Sequence, residues 1–264
     1  MEKVIDKAAI VTGASSGIGA AISRRLCEMG YEVFGFGRDF GEQDSSEEKH
    51  EANTDPSTFF WKDHFHPIVC DLLHTEQLCA YVKQITLQHD VRILVNNAGV
   101  GYYGLHEELN PAKIKELVRT NLEVPMILTQ QLLRTFKKNA GVIIHISSIT
   151  AHASNPHGCA YGATKAGLAS FSNSLFDETR KYGVKVVTIF PDMTKTELYR
   201  HADFQEGEEP ESYLLPEEVA NAVEYILTQR KEMVVSELTL RPQIHRIKRK
   251  NKQTETEKEK YRNK

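Results

Sequence analysis

Long apolar runs are missing from this 264-residue chain: no stretch approaches the ~18 consecutive apolar residues that a membrane-crossing helix needs. The N-terminus enters an apolar strand almost at once, so a signal peptide is not expected either. Cysteine is scarce, and its four copies, Cys27, Cys70, Cys79 and Cys159, include no closely spaced pair. That pattern excludes a disulfide frame and a zinc site, and it fits reduced thiols in a cytoplasmic protein. The histidines are dispersed without ligand spacing, which argues against a metal centre. Neither sign of charge dominates, with 33 Lys and Arg against 36 Asp and Glu. No nucleic-acid partner is therefore implied. The length suits one α/β domain of ~250 residues with a sizeable core.

What the chain does carry begins at Ala8-Ala9-Ile10-Val11, a short apolar run of the kind that forms a buried parallel strand. It leads into Thr12-Gly13-Ala14-Ser15-Ser16-Gly17-Ile18-Gly19. Apolar residues then recur at helical spacing at Ile18, Ala21, Ile22, Leu26 and Met29, and Gly30 stands where a helix would stop. Strand, glycine loop and helix together make the setting of a nucleotide phosphate site. Gly13 permits the tight turn, Gly17 lets a pyrophosphate approach the backbone, and Gly19 lets the helix pack on the strand. The helix N-terminus offers amide donors to phosphates.

The second strand, Glu32 to Gly37, ends in Arg38-Asp39. An acidic residue at that place suits a ribose 2′-hydroxyl, whereas an arginine suits a 2′-phosphate through bidentate hydrogen bonds. Arg38 comes first, which favours NADP(H) over NAD. Asp39 keeps NAD open as the less favoured cofactor.

Further strands are expected at Val91–Asn96, Gly141–Ser147, Val184–Phe190 and Val234–Leu240, with long helices near Pro111–Lys138 and Gly158–Tyr182. Alternating strands and helices predict a single-domain α/β fold, a doubly wound parallel seven-stranded sheet of the Rossmann type. The domain spans residues 1–244, with a polar insertion at 40–63 and a substrate lid at 197–215; residues 245–264 form a charged, solvated tail.

Tyr161 and Lys165 stand one helical turn apart in Tyr-Gly-Ala-Thr-Lys, with Ser148 upstream at the end of an apolar run. An ammonium on the same helix face favours a phenolate, which would let the phenol exchange protons near neutral pH. Ser147 and Ser148 are neighbours on a strand, so their side chains face opposite ways and only one can point at Tyr161.

The glycine loop, Asp71-Leu72, Asn96-Asn97-Ala98-Gly99, Asn121, Ser148, Tyr161 and Lys165 resemble, in order and spacing, the short-chain dehydrogenase/reductase family. The resemblance runs from residue 8 to about residue 196. It implies that Gly13, Ser15, Ser16, Gly17, Ile18 and Gly19 serve the pyrophosphate and ribose, and that Asp71 and Leu72 hold the adenine. Asn97 and Gly99 would line the floor near the adenosine ribose. It further implies that Tyr161 is the general acid/base, that Ser148 orients the carbonyl, and that Lys165 binds the nicotinamide ribose and lowers the tyrosine pKa. Asn121 would hold a water of the proton relay; taken by itself, it could equally bend the helix ahead of Pro125. Relatives are homodimers or homotetramers, and the apolar surface of the helix after Pro111 suits that assembly.

Three segments depart from the family pattern. Residues 40–63 lack an apolar stripe and end in the aromatic cluster Phe59, Phe60 and Trp61. After the sixth strand, Pro191-Asp192-Met193-Thr194-Lys195-Thr196 stands where relatives have Pro-Gly. Pro191, Thr194 and Thr196 remain cofactor candidates, whereas Asp192 loses the glycine's ease at positive φ. The closing stretch Ser236 to Gln243 resembles the carbonyl-reductase and 3-hydroxy-acid-dehydrogenase branch. In the lid, Tyr199, His201, Phe204, Tyr213, Leu214 and Leu215 mix with Glu206, Glu208, Glu209 and Glu211. His152, His157, Tyr102 and Tyr103 are further candidates for the pocket wall. The expected activity is NADP(H)-dependent interconversion of a secondary alcohol and a ketone of medium size. A hydroxysteroid dehydrogenase, and a catalytically inactive NADP-sensing protein, stand as the alternatives.

Overall fold

The computed structural model describes residues 7–41, 63–200 and 202–250. Most of the polar insertion, with Phe59, Phe60 and Trp61, lies outside the described residues, as do His201 and the chain from 251 onward. The strands are β1 Lys7–Thr12, β2 Glu32–Gly37, β3 Phe65–Val69, β4 Asp90–Asn96, β5 Val142–Ile146, β6 Lys185–Pro191, β7 Phe204–Glu206, β8 Glu237–Leu240 and β9 Ile247–Arg249. The α-helices are α1 Gly17–Glu28, α2 Thr75–Gln88, α3 Pro111–Val118, α4 Val124–Asn139, α5 Cys159–Thr179 and α6 Pro216–Leu227.

Seven strands build one sheet in the order β3-β2-β1-β4-β5-β6-β8, and every neighbouring pair is parallel. This is the doubly wound Rossmann architecture that the alternation of strands and helices predicts. Ala8 and Ile10 of β1 pack on one side with Leu78, Leu128, Leu132 and Phe136. Ala9 and Val11 pack on the other with Ile22, Leu26, Val219 and Val223. A strand buried on both faces must be apolar at successive positions, which explains the unbroken run in the sequence. Chain direction across the sheet reverses between β1 and β4. That reversal opens a crevice at the C-terminal ends of the two strands.

The long helix after Pro111 is interrupted. A π-helical turn, Arg119–Glu123, joins α3 to α4 and contains Asn121. Its physical cause lies at Pro125, which has no N–H for the Asn121 carbonyl four residues earlier and whose ring would crowd that carbonyl. The Val124 N–H reaches back five residues to Arg119 instead.

Two expectations need correction. The last sheet strand begins at Glu237 rather than Val234, because β6 meets it only from Thr188 onward. The charged tail does not leave the body at His245: Ile247–Arg249 pairs antiparallel with Phe204–Glu206, inside the stretch expected as a lid. Backbone hydrogen bonds drive that pairing and need no apolar pattern. The four cysteines are all free. No helix among the described residues is long and apolar enough to cross a membrane.

Candidate active site

The crevice holds a cleft of about 380 Å³ whose walls come from the ends of the central strands and the loops that follow them. At its floor, Thr12 ties β1 to β4. Its Oγ1 accepts from the backbone N–H groups of Asn97 and Ala98, both at 3.0 Å. The Asn97 side chain returns the contact by donating to the Thr12 carbonyl at 2.9 Å. Asn97 therefore shapes the loop through its own amide. Thr12 was not among the expected site residues, since a lone strand-end threonine carries no pattern of its own.

The glycine loop is built for close approach. Gly13 sits at φ +67°, and a Cβ there would come within 2.9 Å of the Ala98 Cα. A Cβ on Gly19 would lie 2.1 Å from the Gly13 carbonyl oxygen, which no side chain could tolerate. Gly19 thus lets α1 begin directly beneath the loop, as helix–strand packing requires, and is not itself part of the cleft wall. Gly13, Ser15, Ser16, Gly17 and Ile18 are part of it. Ser16 occupies the N-cap of α1, but its hydroxyl does not cap the helix.

At the far end the cleft meets Arg38, Asp39, Asp71 and Leu72. Asp39 and Asp71 each use one carboxylate oxygen locally, on the N–H groups of Gly41 at 2.7 Å and Leu73 at 3.0 Å. Arg38 is exposed along the cleft wall. Glu116 and Arg200 also line it, and neither carries a sequence signal that would have marked it.

The chemistry-bearing side chains meet at the other end. Tyr161 and Lys165 are both buried on α5, each with 4 % of its surface exposed. Ser148, at the end of β5, hydrogen-bonds the Tyr161 phenol. Ser147 faces away and donates to the Lys165 carbonyl at 3.0 Å. The strand alternation therefore selects Ser148. Lys165 Nζ donates to the Ile146 carbonyl at 2.8 Å and lies 5.7 Å from the centre of the Tyr161 ring. Asn121 is buried behind them and lines no part of the cleft. Its Oδ1 accepts from the Val100 N–H at 2.9 Å, while its Nδ2 donates to the Val100 carbonyl at 3.0 Å and to Thr164 Oγ1 at 3.2 Å.

Electrostatics correct one expectation. Burial pushes the Tyr161 phenol up to about 12, opposed by the Ser148 hydrogen bond. The sequence spacing predicts the opposite direction, but removal of the phenol from water outweighs the effect of its neighbours. Burial also brings the Lys165 ammonium down to about 8. His145, buried beneath Lys165 and hydrogen-bonded to Asn96 at 3.2 Å, is driven down to about 3 by burial and then by the Lys165 charge. It stays neutral at physiological pH.

Pro191, Asp192, Thr194 and Thr196 also line the cleft, as does Gly99, where a Cβ would lie 3.6 Å from Lys165 Nζ. Asp192 is not among the residues at positive φ, so the loss of glycine costs no backbone strain. Its Oδ1 accepts from the Met193 N–H at 2.7 Å, and its own N–H donates to Leu240. Of the four extra pocket candidates, Tyr103 packs on Tyr161 with ring centres 5.7 Å apart. His152 instead packs at a tilt against Phe190, with ring centres 4.3 Å apart. His157 is exposed at φ +64°, and Tyr102 donates to Glu116 at 2.6 Å.

A family model for short chain dehydrogenase matches residues 7–207. An uncharacterized oxidoreductase of Staphylococcus epidermidis is 31% identical over 245 residues, 92% of this chain and 100% of the relative. A farnesol dehydrogenase of Aedes aegypti is 30% identical over 250 residues, covering 92% and 98%. Among solved structures, an alcohol dehydrogenase from the archaeon Thermococcus sibiricus complexed with 5-hydroxy-NADP superposes with a TM-score of 0.76 at 27% identity, covering 91% of this chain and 98% of the other. A metagenomic short-chain oxidoreductase in complex with NADP gives 0.70 at 28% identity, covering 90% and 98%.

Proposed function

The chain belongs to the short-chain dehydrogenase family of oxidoreductases, and on that premise we propose that it interconverts a secondary alcohol and a ketone with NADP(H). The observation that carries this reading is the convergence of Ser148, Tyr161 and Lys165 at one end of a cleft whose other end is the glycine loop and Arg38. The cleft fits a dinucleotide: Gly13 at φ +67° turns the loop tightly, and Gly13, Ser15, Ser16, Gly17 and Ile18 line the cleft where a pyrophosphate would lie. Gly13 to Ile18 and the N-terminus of α1 would hold the pyrophosphate. Arg38 would take the 2′-phosphate, supported by the NADP of the two structural relatives.

When bound, the reduced nicotinamide supplies the hydride. Ser148 holds the substrate oxygen and the Tyr161 phenol gives it a proton, which its high pKa keeps available at neutral pH. The buried Lys165 cation stands beside the phenol and stabilises the charge left behind. The Asn121 side chain is engaged by Val100, so its part in a relay falls to the backbone carbonyl that Pro125 leaves without its helical donor. In the oxidative direction the same groups run in reverse. The carbonyl-reductase branch remains the expected one, supported by the closing strand. Exposed Val118 and Met126 on the long helix support a homodimer or homotetramer.

The test is a screen of ketones and secondary alcohols with NADPH, NADH and their oxidised forms, followed at the nicotinamide absorbance. Ketone-dependent oxidation of NADPH in preference to NADH is the expected result. Tight NADPH binding without turnover on any carbonyl would favour the NADP-sensing alternative.

A further inference from the structure

The reading of the site as a ketone reductase leaves open what surrounds the carbonyl. Three rings, Tyr103, Tyr199 and Phe204, gather beside Tyr161. Tyr103 contacts Tyr161 at 5.7 Å, Tyr199 at 5.9 Å and Phe204 at 5.0 Å between ring centres, and Tyr199 meets Phe204 at 5.4 Å. Tyr199 itself lines the cleft. Burial raises the phenols of Tyr103 and Tyr199 far above their usual range, so both remain uncharged. Aromatic faces that stay neutral beside a reacting carbonyl accept a flat apolar substituent through offset stacking.

Two of these rings are on the lid, and the lid is held from outside. β9 pairs with β7, the strand that carries Phe204. The Lys250 N–H donates to the Asp203 carbonyl at 2.8 Å. Lys250 Nζ donates to the Tyr199 carbonyl at 2.7 Å and to the Arg200 carbonyl at 3.4 Å. Ile244 N–H donates to Glu211 at 2.9 Å, and ion pairs join Arg246 to Glu209 and Lys248 to Glu208. The exposed ion pairs add little; the backbone bonds and the Lys250 head make up the grip.

We propose that Tyr199, backed by Tyr103 and Phe204, presents a substrate wall selective for ketones with a flat apolar group beside the carbonyl, and that residues 244–250 are a clasp positioning two of the three rings. This rests on the ketone-reductase reading, and the clasp acts through the rings without touching the reacting atoms.

The experiment compares the full chain with chains ending at Lys250 and at Gln243, using propiophenone and 2-butanone as probes. The chain ending at Lys250 should match the full chain. The chain ending at Gln243 should raise KM for propiophenone at least fivefold, while KM for 2-butanone and the NADPH Kd stay within twofold. A general structural role would move all three together, and that outcome would overturn the proposal, as would an unchanged propiophenone KM. If the shorter chain does not fold, Lys250→Met should reproduce the selective rise and Lys250→Arg should reverse most of it; equal behaviour of Lys250→Met and the full chain contradicts the clasp. Amide hydrogen exchange across residues 199–206 reads the clasp without turnover. It should quicken on loss of the clasp even if the full chain reduces no ketone, a result that would sink the ketone-reductase reading alone. Unchanged exchange would overturn the clasp.

Discussion

Lys165 Nζ donates to the Ile146 carbonyl at 2.8 Å, which fixes the ammonium to the end of β5, two residues before Ser148. One hydrogen bond does not replace full hydration, so burial brings this lysine down to about 8. The gap from its usual 10.5 corresponds to roughly 3 kcal/mol of penalty on the charged, folded form. The unfolded chain holds its proton more tightly than the folded one. The penalty is therefore full below pH 8 and is relieved as pH rises from about 8 to about 10.5. Lys165→Met removes the group and with it this pH dependence. Thermal unfolding of the two proteins between pH 7 and pH 9.5 should show the wild type gaining stability relative to Lys165→Met as pH rises. Parallel curves would contradict the buried, strained ammonium.

Thr12 provides a second test, on the floor of the cleft. Thr12→Val keeps the shape and removes the acceptor that serves the Asn97 and Ala98 N–H groups. Two backbone donors left without a partner cost about 2–4 kcal/mol in total. Calorimetry should show Tm falling by roughly 5–15 °C. NADPH affinity should fall with it, because Gly13 lies so close to Ala98 across that joint that a Cβ would come within 2.9 Å of its Cα.

Cofactor choice is tested at the end of β2. Arg38→Ala removes the guanidinium from the cleft wall and leaves the glycine loop intact. A charge-assisted pair with a 2′-phosphate is worth about 1.5–3 kcal/mol, so Kd for NADPH should rise by roughly 10- to 100-fold. The Kd for NADH, which carries a 2′-hydroxyl, should change by less than about threefold. Fluorescence titration with the two cofactors measures both. An equal loss for both would mean that Arg38 supports the loop rather than reading the phosphate.

Much of this arrangement is legible in the chain because it is local. Strand, glycine loop and helix follow one another within residues 8–29, and the buried strands are apolar at successive positions because both faces are covered. Tyr161 and Lys165 share a helix turn, and strand alternation separates Ser147 from Ser148. The parts that were not legible are those decided by burial or by distant backbone. The Tyr161 phenol moves up rather than down because the fold removes it from water, which spacing cannot show. Ile247–Arg249 becomes a strand because Phe204–Glu206 offers it backbone partners some 40 residues away. His152 and Tyr103 look equally suited to a pocket wall, and only packing sends one to Phe190 and the other to Tyr161.

The central claim is that the Tyr161 phenol delivers the proton to a ketone oxygen held by Ser148. Tyr161→Phe removes one hydroxyl from a buried ring and leaves the phosphate loop, Arg38 and Lys165 in place. The direct measurement is steady-state NADPH-dependent ketone reduction by this variant beside a titration of its NADPH affinity. The expected result is a loss of kcat/KM of roughly 1,000-fold or more, at the scale of about 4 kcal/mol of transition-state stabilisation, with the NADPH Kd within about threefold of wild type. Turnover retained within tenfold of wild type would contradict it.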